Sequence, residues 1–130
     1  QERDAGEGIH HSRSWHVALN AVEQGRVPVV AALHGAVVGG GLELASASHI
    51  RVADESTFYA LPEGTRGIFV GGGGSVRVPK LIGTARMVDM RRTGRVYDAQ
   101  EGERVGFAQY RVPTGSALSK AIELATRIAT

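Results

Sequence analysis

Three consecutive glycines, Gly39, Gly40 and Gly41, are followed two positions later by the carboxylate of Glu43. Glycine has no Cβ, so the backbone in such a run can take positive φ and come close to a ligand. If a helix begins here, its first N–H groups have no intrahelical partners and can stabilise an anion or a developing oxyanion. The pattern predicts amides that polarise a carbonyl group while Glu43 handles protons nearby.

A second carboxylate, Glu63, follows Glu43 by 20 positions. Pro62 restricts the residue before it to extended geometry, which helps to fix where Glu63 points. Paired carboxylates can divide acid and base roles when their environments differ. The alternatives are an early helix residue favoured by the helix dipole for Glu43 and a solvated turn carboxylate for Glu63. The residues alone leave both interpretations open.

Other catalytic patterns are absent from the sequence. The glycine run lacks the G-x-G-x-x-G spacing of dinucleotide-binding loops, and residues 71–75 are not followed by the Gly-Lys-Ser/Thr of a P-loop. No serine stands in a G-x-S-x-G elbow, and no cysteine is present as nucleophile or metal ligand. We expect His34 to be buried and hydrogen-bonded, and we expect His10, His11 and His16 to lie on a solvated helix face.

The composition is typical of a globular protein: of the 130 residues, 42% are hydrophobic and 22% are charged. The formal net charge is +2, and no block of like charge is long enough for a nucleic-acid-binding arm. The apolar runs are too short to span a membrane and no secretory signal is visible, so we expect a cytoplasmic protein. Because the chain starts at Gln1 and stops within a helical pattern, we expect both ends to lie inside a longer domain.

The elements around the glycine loop follow a recognisable order. The apolar residues 27–33 predict a buried parallel strand before the loop. A helix is expected over residues 42–48, a strand over residues 49–53 and another short strand over residues 57–60. Strand, loop, helix and strand in this order favour α/β architecture with right-handed crossovers.

Helical spacing and turn residues predict the other elements. A first helix is expected over about residues 10–24, with Trp15, Ala18, Leu19 and Val22 on its apolar face. A second is expected over about residues 79–92, interrupted at Gly83, and a third is capped by Asp98 and ended by Gly106. A strand over residues 107–112 and a helix over residues 113–130 follow, the helix with Leu118, Ile122, Ala125 and Ile128 at helical spacing. Residues 71–75 could seat another helix N-terminus or form a tight turn. Residues 1–8 are expected to fray.

Several motifs in unbroken order resemble the enoyl-CoA hydratase/isomerase (crotonase) superfamily. The resemblance covers about residues 25–112. It is carried by Phe58, by Gly67 and by residues 27–35, 39–45, 61–63, 72–74, 77–79, 82–83, 85–86 and 93–95. It implies an α/β fold, the crotonase-like ββα spiral (ClpP/crotonase fold) with a core of two sheets. Residues 1–130 would form an incomplete, central part of a single such domain.

The resemblance also implies a reaction. Members of this family bind acyl-CoA thioesters and stabilise an enolate with two backbone N–H groups, of which Gly40 would supply the second. The two catalytic glutamates of the hydratases correspond to Glu43 and Glu63, so the implied reaction is syn addition of water to the α,β double bond of an enoyl-CoA. Further residues expected to bind substrate are Gly39, Gly41, Leu61, Pro62, Gly71 and Gly72. Coenzyme A is part of the substrate, and no separate cofactor or metal is expected.

The sequence departs from the family pattern in several places. The strand carrying the first N–H donor is expected upstream of Gln1, and the helices covering the acyl pocket are expected beyond Thr130, so the isolated chain is expected to be inactive. His49 stands where the family usually has Asp. Arg91 and Arg92 replace apolar residues, and we expect them to reach solvent or to strain the packing.

Alternatives remain open on the sequence. Within the family they are an enoyl-CoA isomerase and an aromatic acyl-CoA hydratase or lyase. Outside catalysis, the alternative is an oligomeric or RNA-binding relative, to which six arginines against four acids between residues 86 and 111 give mild support. The resemblance implies a homotrimer or hexamer for the full-length protein, with no membrane or nucleic-acid partner.

Overall fold

Short strands and helices alternate along the chain in the computed structural model, which describes residues 4–130. The helices are α1 (Ala5–Glu23), α2 (Gly40–Ala47), α3 (Gly74–Ile82), α4 (Thr84–Thr93), α5 (Ala99–Val105) and α6 (Ala117–Ala129). The strands are β1 (Val30–Leu33), β2 (Ala36–Val38), β3 (Ile50–Asp54), β4 (Phe58–Ala60), β5 (Tyr97–Asp98) and β6 (Tyr110–Val112). A 3₁₀ turn, Gly64–Arg66, follows β4.

The strands form two three-stranded sheets that the chain visits in turn. One sheet has the order β1-β3-β6 and is parallel throughout. In the other, of order β2-β4-β5, β2 and β4 are parallel and β5 is antiparallel to β4. The first two turns of the chain each place one strand in the first sheet, the next in the second sheet and then a helical segment. This arrangement is the predicted α/β succession of ββα turns.

The core lies on both faces of the β1-β3-β6 sheet. On one face, side chains from both sheets pack with α2 to α5, and the Tyr59 ring stacks on Phe107 with centroids 4.6 Å apart. On the other face, Val52 packs against α6 through Ala117 and Leu124. Successive residues of β3 therefore serve opposite cores, as the alternation of a strand requires.

The N-terminal part of the chain differs from the prediction. Helix α1 begins at Ala5 rather than near residue 10, because the Asp4 side chain accepts a hydrogen bond from the Glu7 N–H at 2.9 Å and caps it. The predicted fraying concerned residues 1–8, of which residues 1–3 lie outside the described part. Of the expected apolar face of α1, only Leu19 is fully buried. Strand β1 is shorter than residues 27–33, and Val27 is 68% exposed.

Two predicted loop regions contain regular structure. Strand β2 lies within the segment expected to be loop, and it pairs in parallel with β4. Helix α3 begins at Gly74, five residues before the predicted start at Pro79, which lies inside the helix. Residues 71–75 therefore do seat a helix N-terminus. Helix α2 likewise begins at Gly40, two residues before the prediction.

The predictions of α4, of α5 and of a helix within residues 113–130 are confirmed, whereas that for His34 is wrong. Asp98 and Glu101 form a capping box at the start of α5, and Gly106 ends that helix with φ +109°. The face of α6 that packs on the sheet is not the one predicted: the buried members are Ala117, Ala121 and Leu124, while Leu118, Ile122, Ala125 and Ile128 are exposed. His34 is exposed rather than buried.

The three departures from the family pattern have local explanations. The His49 ring accepts a hydrogen bond from the Val29 N–H at 3.0 Å, and its other nitrogen lies 3.0 Å from the Glu23 carbonyl oxygen, so it joins the end of α1 to the approach of β1. The half-buried Arg91 places its guanidinium over the Phe69 ring at 4.6 Å, a cation–π contact. Arg92 is exposed to solvent.

Within residues 4–130, no helix combines the length and the apolar character that crossing a membrane requires.

The buried carboxylate of Asp54 joins the β3–β4 turn to the start of α6. It accepts hydrogen bonds from the Ser56 hydroxyl, from the Ser56 N–H at 2.9 Å and from the Gly115 N–H at 2.9 Å. The Ser56 hydroxyl bond lowers the pKa of Asp54 most, and the two N–H donors add to this effect, while burial opposes it. The charged form of Asp54 therefore stabilises the fold.

We expect Asp54→Asn to lower the free energy of unfolding by about 1–3 kcal/mol at pH 7, because the amide cannot satisfy all three donors. The folded pKa is depressed, so this stabilisation is present above the unfolded pKa of about 3.9 and is lost as the pH falls through the folded value. Urea unfolding at pH 7 and in acid should show the gap between wild type and variant narrowing at low pH. Asp89→Asn, which removes a solvent-exposed ion pair with Arg95, should cost about 0–1 kcal/mol. An equal loss in the two variants would contradict the assignment.

Candidate active site

The N-terminus of α2 forms the centre of the site. Gly39 is the N-cap residue with φ +55° and ψ −122°, and its N–H donates to the Ala60 carbonyl oxygen of β4 at 3.1 Å. The pairing of β2 with β4 therefore fixes where the helix starts. Gly40 is the first helical residue, so its N–H has no intrahelical partner and carries part of the positive end of the helix dipole.

Glu43 projects from the first turn of α2 towards the N-terminus of a different helix. Its side chain is buried, and Oε1 accepts hydrogen bonds from the Gly72 N–H at 2.8 Å and the Gly74 N–H at 2.9 Å. The carboxylate thus caps α3 rather than its own helix. No donor among residues 4–130 bonds to its second oxygen, Oε2. Glu43 is therefore held in place through one oxygen and can offer the other to a ligand.

Glu63 lies against the same end of α2. A Cβ built at Gly39 would be 2.8 Å from Glu63 Oε1, so the glycine makes room for this carboxylate. Glu63 Oε2 is buried and has no hydrogen-bond partner in the described part of the chain. A buried acceptor without a protein donor is uncommon in a folded protein, so this oxygen is available to accept a hydrogen bond from a ligand.

The two carboxylates therefore flank one helix N-terminus, Glu63 beside the N-cap residue and Glu43 one turn along. Amides at this position favour negative charge, and each carboxylate has one oxygen free of donors. Such an arrangement can stabilise an oxyanion and move protons on either side of it. The solvated-turn alternative for Glu63 does not match its buried oxygen.

The other residues predicted to bind substrate lie in different settings. Gly41 borders an apolar cavity of about 280 Å³ between β1, α2 and the end of α1. The Leu61 side chain is fully buried in the core, which leaves only its backbone to contact a ligand. Gly71 is exposed, and Pro62 is half-buried beside Glu63. Their contacts with substrate stay predictions.

Helix α1 lies across both glycine loops. Trp15 Cη2 would be 3.8 Å from a Cβ built at Gly40, and the Ser12 hydroxyl is 3.5 Å from the Gly71 carbonyl oxygen. Neither the contact of α1 with these loops nor the bond from the Gly74 N–H to Glu43 is predicted from the sequence. The second glycine run is the signal for Gly74, since a helix that starts there needs an acceptor for its first amides, and Glu43 is that acceptor.

The histidines of α1 form no metal site in the described residues. All three are exposed, as predicted, and His11 Nε2 accepts a hydrogen bond from the Trp15 indole at 3.2 Å. Within residues 4–130 no group of three or more His, Cys, Asp or Glu side chains is placed to hold a metal ion.

Gly72→Ala should destabilise the protein by about 1–3 kcal/mol through overpacking. Its Cβ would lie 2.8 Å from Glu43 Oε2 and 3.1 Å from Leu19 Cδ1, and both neighbours are buried. Gly71→Ala is the matched control, because a Cβ there meets nothing within 4 Å; it should change stability by less than about 0.5 kcal/mol. Urea midpoints of the two variants measure the difference. Equal midpoints would show that Glu43 does not occupy this space.

Comparison with known proteins identifies the family. The family model for enoyl-CoA hydratase/isomerase matches residues 5–130. The fatty acid oxidation complex subunit alpha of Shewanella putrefaciens strain CN-32 is 40% identical over 125 residues, which are 95% of this chain and 18% of that protein. The chain therefore spans under a fifth of this curated relative.

Solved structures match over almost the whole chain. A protein of Rhodopseudomonas palustris CGA009, provisionally named an enoyl-CoA hydratase, is 64% identical with a TM-score of 0.96, covering 99% of this chain and 50% of that one. The enoyl-CoA hydratase of Bacillus anthracis is 38% identical with a TM-score of 0.90, covering 98% and 49%. The chain thus spans about half of each solved protein. From its sequence and its crotonase fold, the chain belongs to the enoyl-CoA hydratase/isomerase family.

Proposed function

We propose that the full-length protein is an enoyl-CoA hydratase-like lyase that adds water to the α,β double bond of an acyl-CoA thioester. The observation that carries this proposal is the pair of carboxylates at the N-terminus of α2, each with an oxygen free of protein donors. Family membership and the similarity to proteins named for hydration and for fatty acid oxidation support the same reaction class. Isomerases need no attacking water, so a second free carboxylate is more useful to a hydratase.

The proposed mechanism divides the work among three groups. The Gly40 N–H stabilises the enolate oxygen that forms when the thioester accepts electrons from the double bond. One of Glu43 and Glu63 takes a proton from the water that attacks Cβ, and the other helps to deliver a proton to Cα. An oxyanion-hole donor contributes a factor of about 10²–10³ in rate. A positioned general acid or base contributes about 10²–10⁴.

The remaining parts of the proposal follow from the family. Coenzyme A enters as part of the substrate, so no separate cofactor takes part in a step. Gly39, Gly41, Pro62, Gly71, Gly72 and the Leu61 backbone would contact the thioester or its acyl chain. We propose a cytoplasmic homotrimer or hexamer for the full-length protein.

Two of the arginines that motivated the RNA-binding alternative are held in ion pairs. Arg95 is paired with Asp89 and Glu101 at 3.4 and 3.5 Å. Arg111 is likewise paired with Glu55 and Glu103. Two of the six arginines between residues 86 and 111 are therefore engaged by carboxylates, which lowers the positive charge that this segment offers to a phosphate backbone.

Glu43→Gln and Glu63→Gln in the full-length protein should each lower kcat by about 10²–10⁴. Glutamine keeps the size of the side chain and, at position 43, an oxygen that can still accept from Gly72 and Gly74. The measurement is the loss of the conjugated thioester absorbance in water, with melting curves to confirm folding. Glu123→Gln, on the exposed face of α6, should leave kcat unchanged. Near wild-type rates in either site variant would contradict the assignment of that carboxylate as a general acid or base.

Product analysis separates hydration from isomerisation. We expect a 2-enoyl thioester incubated in isotope-labelled water to gain the label as a hydroxyl oxygen at Cβ. A shifted double bond without incorporated oxygen would identify an isomerase. Cleavage of an aromatic acyl thioester after hydration would identify the lyase alternative.

A further inference from the structure

Arg77 is a buried cation on α3 that joins three parts of the site region. Its Nε donates to Glu23 Oε2 at 2.8 Å and its Nη2 donates to Asn20 Oδ1 at 2.6 Å, both on α1. Its Nη1 donates to the Gly72 carbonyl oxygen at 3.1 Å. Glu23 balances the charge of the guanidinium, so the burial of Arg77 is compensated.

The Gly72 backbone forms hydrogen bonds with both Arg77 and Glu43. Its carbonyl oxygen accepts from Arg77, and its N–H donates to Glu43 Oε1 at 2.8 Å. Each of the two peptide groups that flank the Gly72 Cα is thereby fixed. A shift of Arg77 therefore moves the donor that holds the Glu43 carboxylate.

The glycines of this loop leave room for both side chains. A Cβ at Gly73 would lie 2.5 Å from Arg77 Nη1, and one at Gly72 would lie 2.8 Å from Glu43 Oε2. The structure records no hydrogen bond or ion pair between Arg77 and Glu43 themselves. The chain of hydrogen-bonded contacts from Arg77 to Glu43 therefore runs through the Gly72 backbone.

We propose that Arg77 is a positioning residue that sets the orientation of the Glu43 carboxylate through Gly72, with Asn20 and Glu23 of α1 holding the guanidinium. The inference rests on the proposed function, because it assumes that Glu43 takes part in proton transfer. Three acceptors in different directions suit the planar fork of arginine, which lysine cannot reproduce. A carboxylate displaced by about 1 Å can lose 10²-fold in rate.

Kinetics of Arg77→Gln in the full-length protein test the inference. We expect kcat to fall by about 10²-fold with a much smaller change in KM, since Glu43 acts in the chemical step and Arg77 contacts the proposed substrate-binding residue Gly72 only at its carbonyl oxygen. In a Glu43→Gln background the same change should have almost no further effect on the residual kcat, because the group it positions is already disabled. A general loss of structure would instead lower the rate by the same factor in both backgrounds.

Two further variants guard against misfolding and unspecific effects. Arg77→Lys keeps the charge and can reach one of the three acceptors, so its kcat should fall between those of wild type and Arg77→Gln. Arg86→Gln, on α4, removes a contact to the Ile82 carbonyl oxygen of α3 and should leave kcat unchanged.

Amide hydrogen exchange provides a readout that does not depend on turnover. In Arg77→Lys the Gly72 and Gly74 amides should exchange faster than in wild type, while amides of α6 should not change. If the wild-type protein turns over no enoyl thioester, the proposed function fails, and this exchange result alone decides whether Arg77 positions Glu43. Unchanged exchange at Gly72 and Gly74, or equal rate losses in both kinetic backgrounds, would overturn the inference.

Discussion

The site depends on the two hydrogen bonds that the Glu43 carboxylate accepts at the N-terminus of α3. An isolated carboxylate is costly to bury, by several kcal/mol even after relaxation. Here the cost is offset by two charge-assisted hydrogen bonds, from Gly72 and Gly74, and by the positive end of the α3 dipole. One side chain thus joins helices of successive turns of the spiral, and the same side chain lies at the centre of the proposed chemistry.

Space is the second constraint, and the two glycine runs provide it at defined positions. Gly39 makes room for Glu63, Gly72 for Glu43 and Gly73 for Arg77. By contrast, a Cβ at Gly41 or Gly71 would meet no atom within 4 Å in this chain. Some of these glycines therefore serve close packing of polar side chains, while the others leave open space at the surface where a ligand can approach.

The sequence predicted those features that depend on neighbouring residues. The capping residues of α5, Asp98 and Glu101, lie within four positions of each other, and the alternation that predicts β3 lies within the strand itself. Strand β2 has three residues and is defined only by its pairing with β4, so no periodicity revealed it. The sequence left the role of residues 71–75 open between a helix N-terminus and a tight turn, because the cap of α3, Glu43, lies 29 positions before Gly72. The face of α6 was misjudged because small alanines, rather than the larger Leu118 and Ile122, fit against the sheet.

The two carboxylates of the site differ in how completely the protein satisfies them, and this difference suits a division of labour. Glu43 is fixed by two backbone donors, which hold it as an oriented acceptor. Glu63 has a buried oxygen that accepts no hydrogen bond from residues 4–130 and can accept one from a ligand. Orientation at one carboxylate and unmet bonding capacity at the other are what an acid–base pair around a developing oxyanion requires.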